Sequence, residues 1–136
     1  MRPLVYIAAP FAEAPVLWTT RVSTLSRWLV GKGYAPVSIH AAIQTGAYGD
    51  DTDPDARAAG LDAACSIVRA VACSGGAMIL ITRDDRTMSN GCKKEAAAFR
   101  KSGRWNAEDL IVRAKWATWE AWMEMGYWPA PPMISR

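Results

Sequence analysis

One apolar run, Ala77–Thr82, most constrains how the chain can fold. An uninterrupted apolar segment of this length is typical of a central strand in a parallel sheet with both faces covered. Two further strand-like runs, Leu4–Ala9 and Tyr34–Ile39, precede it, and helical patterns that begin at Pro15 and Pro54 separate the three. Because strands that alternate with helices pair in parallel through crossovers, the sequence predicts an α/β fold with helices on both faces of a parallel sheet.

The composition is that of one ordinary globular domain. The 136 residues are 51% hydrophobic and 21% charged, and no repeat or low-complexity tract divides them. The net charge is only +3 and the basic residues are scattered, which argues against binding of duplex nucleic acid. Met1 leads directly into the first strand, and no apolar run is long enough to span a bilayer. We therefore expect a single cytoplasmic domain, residues 1–136, with no membrane partner.

The three cysteines do not indicate a disulfide framework or a tetrahedral zinc site, because their number is odd and no CxxC pair occurs. The GxGxxG fingerprint of dinucleotide-binding proteins is also absent, so we expect neither a metal nor a cofactor. Cys65 and Cys73 are predicted to be small buried apolar side chains. Cys92 lies near a predicted helix N-terminus, where the pKa of a thiol can fall, so a thiol nucleophile is a minor alternative.

A carboxylate on the apolar face of a helix is the strongest candidate for chemistry. The spacing predicts a helix that begins at Ser89 or Asn90, either of which can cap it, and ends at Gly103. Its apolar stripe contains Gly91, Cys92, Ala98 and Phe99. Glu95 falls within this stripe, where burial is costly unless the carboxylate is paired, hydrogen-bonded or protonated. Glu95 is therefore either an edge residue that reaches water or a buried arginine, or a catalytic carboxylate at the floor of a cleft.

Further candidates lie where the predicted strands end, because ligands of such sheets bind beyond the carboxyl ends of the strands. Ala8 and Ala9 end the first strand, and side chains this small let a ligand approach the backbone; Phe11 follows them. His40 ends the second strand, and it either contacts a ligand or hydrogen-bonds a loop.

Four charged residues are candidates to complete such a site. The strand Ala77–Thr82 delivers Asp84 and Asp85 to the loop before the Glu95 helix, and Asp62 lies beside the apolar face of the second helix. These three acids are the candidate proton donors. Arg21, near the start of the first helix, either reaches the cleft or is a solvated surface residue.

The C-terminal part, about residues 106–136, is rich in tryptophan. Apolar residues at helical spacing predict a helix from Asn106 to Met125, which Trp116, Trp119 and Trp122 crowd. So many aromatic residues on a terminal helix indicate burial against the sheet or against a second subunit. The proline-rich tail that follows cannot be helical.

Two motifs resemble those of the nucleoside 2-deoxyribosyltransferase-like superfamily, which also contains nucleoside 5′-monophosphate N-glycosidases and uncharacterised phage-type relatives. Val5–Phe11 is similar to the opening strand motif, and Ser89-Asn90-Gly91 followed by Glu95 looks like the Ser-x-Gly-x-x-x-Glu element. The resemblance spans residues 4–101. It implies a small Rossmann-like, flavodoxin-like domain that forms a homodimer or higher homo-oligomer.

The resemblance also implies roles for individual residues. Glu95 would attack the anomeric carbon of a nucleotide or nucleoside, and Ser89–Gly91 would hold a 5′-phosphate or a sugar hydroxyl. Tyr6 and the backbone at Ala8–Ala9 would line the pocket for sugar and base. Independently of the resemblance, Asp84 is chosen among the three candidate acids as the proton donor. The leading hypothesis is an N-glycosidase of (deoxy)nucleoside 5′-monophosphates. The alternatives are a base-exchanging nucleoside 2-deoxyribosyltransferase and a non-catalytic nucleotide- or partner-binding protein of the same fold.

Overall fold

A computed structural model describes residues 1–39, 53–102, 105–129 and 131 of the chain. These residues contain a parallel sheet with the spatial order β2-β1-β3-β4, built from β1 (Leu4–Ala8), β2 (Ala35–Val37), β3 (Ala77–Thr82) and β4 (Ile111–Lys115). The helices are α1 (Pro15–Gly31), α2 (Pro54–Cys73), α3 (Asn90–Arg100) and α4 (Trp116–Met125). This Rossmann-like arrangement confirms the predicted fold class.

The central position of β3 follows from its apolar character, since all six of its residues are buried. Alternate residues of a strand point to opposite faces, so β3 contributes to two cores. Met78 and Leu80 pack with α2 and α3 on one face, whereas Ile79 and Ile81 pack with α1 and α4 on the other. Helices therefore cover both faces of the sheet, as predicted.

Helix α2 does not bury the two cysteines that were predicted to be buried. Asp53 caps it by accepting a hydrogen bond from the backbone N–H of Asp55, at 3.1 Å. Its buried residues are Gly60, Ala64, Val68, Val71 and Ala72. Cys65 is only half-buried and Cys73 is exposed, so the prediction that both are buried was wrong. The reason is that small side chains at Gly60 and Ala64, rather than the bulkier apolar residues, give α2 close access to its neighbours.

The predicted helix from Asn106 to Met125 was also wrong. Ala107–Leu110 form a short 3-10 turn, Ile111–Lys115 form the edge strand β4, and only Trp116 begins the helix. Over so short a segment, the spacing of apolar residues fits the period of a helix as well as that of a strand. The free edge of β3, however, requires a partner for its backbone N–H and C=O groups. Pairing with β3 therefore decides the conformation of this segment.

The tryptophans of the C-terminal part are used within the chain. Trp116 and Trp119 are buried against α1, and the Trp116 ring meets Trp18 edge-on with centroids 6.3 Å apart. Beyond α4, Trp128 folds back over the sheet, and its Nε1–H donates to the hydroxyl of Tyr34 at 2.7 Å. Burial of Trp116 and Trp119 against the sheet is thus confirmed. Contact of this segment with a second subunit stays a prediction.

Candidate functional site

Helix α3 presents Glu95 to the interior. Ser89 is the N-cap, and its Oγ accepts a hydrogen bond from the backbone N–H of Cys92 at 3.2 Å. The helix then buries the predicted stripe, and Glu95 is only 7% exposed within it. The helix ends at Arg100, and the predicted terminal residue Gly103 lies outside the described residues. Of the alternatives that the sequence left open for Glu95, its burial excludes an edge residue that reaches water.

The carboxyl group of Glu95 is held by a phenol from the central sheet. Tyr6 is fully buried in β1, and its hydroxyl donates a short hydrogen bond to Oε2 of Glu95 across 89 residues of sequence. Among the described residues no arginine or lysine forms an ion pair with Glu95. Glu95 is thus a buried acid oriented by a neutral donor, and it is not one half of a buried ion pair.

The protonation state of this pair follows from its burial. Loss of solvation raises the pKa of Glu95 to about 7, although the hydrogen bond from Tyr6 acts in the opposite direction. The same burial, together with the negative charge of Glu95, raises the pKa of Tyr6 far above its ordinary value. Tyr6 therefore stays a donor at neutral pH, while the raised pKa of Glu95 brings its titration close to neutral pH.

A cleft of about 670 Å³ opens above Glu95, beyond the carboxyl end of β1 and between α2 and α3. This volume lies within the range of small-molecule binding sites, roughly 300–1,000 Å³. The apolar and small residues of its wall include Ala9, Pro10, Phe11, Ile39, Gly60, Leu61 and Ala64. Because Glu95 lies on the floor of this cleft, its carboxyl group is accessible to a bound molecule.

The cleft gathers about half of the residues that were predicted to form a site. Its lining includes Ala9, Phe11, Ser89, Asn90, Gly91 and Glu95. Tyr6 lies behind Glu95 and contacts it directly, and Ala8 is fully buried in β1 without lining the cleft. These are the residues of the two sequence motifs, and the parallel sheet brings them together at one edge.

Three other predicted residues lie away from the cleft, and one falls outside the described part of the chain. Asp84 is exposed in the turn after β3, and Asp62 is exposed on α2; neither lines the cleft. Arg21 lies on the opposite face of the sheet, where its guanidinium carbon is 4.8 Å from the ring centroid of Trp18. Arg21 cannot reach the cleft because α1 packs on that opposite face. His40 is among the residues that the structure does not describe.

Four charged residues of the cleft were missed by the sequence interpretation: Glu13, Arg57, Arg83 and Lys94. Nε of Arg83 donates to Oε2 of Glu13 at 2.7 Å, which joins the end of β3 to the turn after β1. Arg57 and Lys94 form no ion pair with the described residues. Helical periodicity placed Lys94 on the polar face of α3, and only the packing of α2 against α3 turns that face toward a cleft.

The alternative of a thiol nucleophile is not supported. Cys92 is buried beneath the start of α3, and this burial raises the pKa of its thiol to about 12, against the lowered pKa that was expected. Cys92 is therefore a protonated core side chain at neutral pH.

The comparison with known families locates this site within a defined domain. Residues 3–105 match the family model described as a domain of unknown function, DUF7768. The chain belongs to the DUF7768 family. The DUF7768 match begins before β1 and extends past α3, so it contains Tyr6, Glu95 and the whole described lining of the cleft. No curated protein and no solved structure matches the chain significantly.

The described residues contain neither a metal-binding cluster nor a membrane-spanning helix. No group of three or more histidine, cysteine, aspartate or glutamate side chains is arranged to bind a metal ion among residues 1–39, 53–102, 105–129 and 131. In the same part of the chain, no helix combines the length and the apolar character needed to cross a membrane.

Proposed function

We propose that the protein hydrolyses the N-glycosidic bond of a (deoxy)nucleoside 5′-monophosphate, with Glu95 as the nucleophile. The observation that supports this best is a buried carboxyl group, oriented by Tyr6, on the floor of a cleft of about 670 Å³. Maintaining a carboxyl group in such a place costs stability, and sites of this kind are commonly functional.

The chemistry requires a carboxylate on one face of the sugar. As the bond between the anomeric carbon and the base breaks, positive charge develops on that carbon, and a carboxylate beneath it stabilises the charge or forms a glycosyl-enzyme. Tyr6 holds Oε2 of Glu95, and Oε1 accepts no hydrogen bond from the described residues. Oε1 would form the bond to the anomeric carbon as the bond to the base breaks, and the base would leave with a proton taken from solvent, which the attacking water of the next step returns. Water would then displace Glu95 and release the sugar phosphate.

The cationic side of the cleft suits the phosphate of such a substrate. Arg57 and Lys94 are free of ion pairs among the described residues, and the N-terminus of α3 adds backbone N–H groups and a favourable dipole. Holding the phosphate there would fix the sugar above Glu95, and orientation of this kind lowers a barrier substantially.

The three acids expected from the sequence as proton donors, Asp62, Asp84 and Asp85, do not line the cleft. The described lining contains one carboxylate besides Glu95, that of Glu13, which is paired with Arg83. We therefore propose no role for Asp84 in proton transfer, and Asp84→Asn serves as a control variant.

The test is a screen of nucleosides and nucleoside 5′-monophosphates for free base, measured by liquid chromatography. We expect base release by the wild type and by Asp84→Asn, and none by Glu95→Gln with an unchanged circular dichroism spectrum. Turnover by Glu95→Gln equal to that of the wild type would exclude Glu95 as the nucleophile. A second nucleobase in the mixture separates hydrolysis from base exchange, because only a transferase makes a new nucleoside. Tight nucleotide binding without cleavage would instead favour the non-catalytic alternative.

We also propose that the protein is cytoplasmic and that it assembles into a homodimer or higher homo-oligomer. Light scattering coupled to size exclusion tests the second, and a monomeric mass at micromolar concentration would contradict it.

A further inference from the structure

A second cavity, of about 290 Å³, lies at the carboxyl ends of β3 and β4. Its wall includes Thr82 and Ala114 from these strands, Thr118 and Trp122 from α4, and three basic residues, Arg86, Arg113 and Lys115. None of these residues lines the cleft above Glu95. The cavity is therefore a separate site, and the proposed hydrolysis does not use it.

The charges around this cavity are not balanced. Nη2 of Arg113 donates to Oε1 of Glu108 at 2.7 Å, but Glu108 also pairs with Arg100 at 2.6 Å, so one carboxylate serves two guanidinium groups. Arg86 and Lys115 form no ion pair with any residue that the structure describes. Three basic residues thus line one cavity, and two of them have no ion-pair partner among the described residues. Basic side chains in such a position attract anions.

The turn after β3 places Arg86 in the wall of this cavity. Arg86 adopts a left-handed backbone conformation with φ of 71°, and its N–H donates to the carbonyl oxygen of Arg83 at 2.9 Å. Asp85 closes the turn by accepting hydrogen bonds from the N–H and the hydroxyl of Thr87, at 2.9 and 2.6 Å. The carboxylate of Asp85 is thereby committed within the turn. Arg83 lines the cleft above Glu95, and Arg86 lines the second cavity.

Helix α4 supplies the opposite wall. Lys115 occupies its N-cap position and makes no capping hydrogen bond through its side chain. Thr118 lies in the first turn of this ten-residue helix, and Trp122 lies one turn further along the same wall. Trp122 is half-buried, so it offers an aromatic surface beside the cationic groups.

We propose that this cavity binds a small molecule that carries a phosphoryl group. Arg86 and Lys115 contact the phosphoryl oxygens, and the positive end of the α4 dipole adds to the attraction. The organic part of the molecule packs against Trp122. A cavity of about 290 Å³ accommodates a phosphoryl group with a small attached moiety, and it is too small for a macromolecular segment.

The experiment is titration calorimetry of the full chain with inorganic pyrophosphate at low ionic strength. Since Arg57 and Lys94 give the other cleft its own attraction for anions, the titration is run in the Arg57→Gln/Lys94→Gln background. We expect saturable binding there, weakened roughly tenfold or more when Arg86→Gln and Lys115→Gln are added, because two charge-assisted contacts are lost. Arg27→Gln, an exposed change on α1, is the matched control and should leave the affinity unchanged.

Three results would overturn this inference: no binding of pyrophosphate, loss of all binding in the Arg57→Gln/Lys94→Gln background, or equal affinity with and without Arg86 and Lys115. The outcome is independent of the proposed hydrolysis. Pyrophosphate binding in a protein that releases no base would support the second site and contradict only the proposed function. Circular dichroism on each variant confirms that a lost affinity is not lost folding.

Discussion

Replacement of Glu95 by Gln should stabilise the protein at pH 8 and change its stability much less at pH 5. Burial raises the pKa of Glu95 from 4.5 to about 7, so the folded protein binds this proton more tightly than the unfolded chain does. Between pH 4.5 and about pH 7 the wild type loses stability as the pH rises, because the unfolded chain releases this proton more readily than the folded protein does. Gln has nearly the same shape, accepts the same hydrogen bond from Tyr6 and carries no charge.

The size of the effect follows from the pKa. A rise from 4.5 to about 7 corresponds to ~3 kcal/mol once the carboxyl group is fully ionised, at ~1.4 kcal/mol for each pH unit. At pH 5 most of this cost is absent, because folded Glu95 is still protonated. We therefore expect the advantage of Glu95→Gln over the wild type to grow from below ~1 kcal/mol at pH 5 to ~3 kcal/mol at pH 8.

Urea denaturation of both proteins at pH 5, 6, 7 and 8, at constant ionic strength, measures this difference. Glu108→Gln is the matched control, since hydrogen bonding to Arg100 lowers the pKa of the exposed Glu108 and its replacement should reduce stability instead. Parallel stability curves for wild type and Glu95→Gln across this range would refute the reasoning, because the carboxyl group would then titrate alike in the folded and unfolded chain.

Three further predictions rest on other parts of the structure. Tyr6→Phe removes the donor to Glu95 and should raise the pKa of that carboxyl group further, so the pH at which base release rises should shift upward from about 7 in a pH–rate profile. Gly76→Ala should destabilise the fold by ~2–4 kcal/mol in urea, because a Cβ there overlaps a carbonyl oxygen of β1; Gly31→Ala, with nothing within 4 Å, should cause no loss. Alkylation with iodoacetamide should modify exposed Cys73 in the native protein and buried Cys92 only after unfolding, as peptide mass spectrometry would show; equal rates would contradict the placement.

The periodicity of apolar residues predicted most of the secondary structure. The continuous apolar run at Ala77–Thr82 predicted the central strand, and the helical spacing around Glu95 predicted its burial, because hydrophobic pattern determines which face of an element leaves water. It failed at Ile111–Lys115, where the segment is short and pairing with the edge of β3 decides its conformation. The expected burial of Cys65 and Cys73 on α2 was also wrong, because the helix packs through smaller residues such as Gly60 and Ala64.

The sequence by itself determined the alternation of strands and helices and placed an acidic residue within the apolar stripe of a helix, since both follow from local order along the chain. Only the tertiary structure decided that Tyr6 binds Glu95, that Arg57 and Lys94 face the same cleft, and that Arg21 does not. These contacts join elements that are distant in sequence. They depend on the order of strands in the sheet and on which face each helix covers, and no local pattern encodes either.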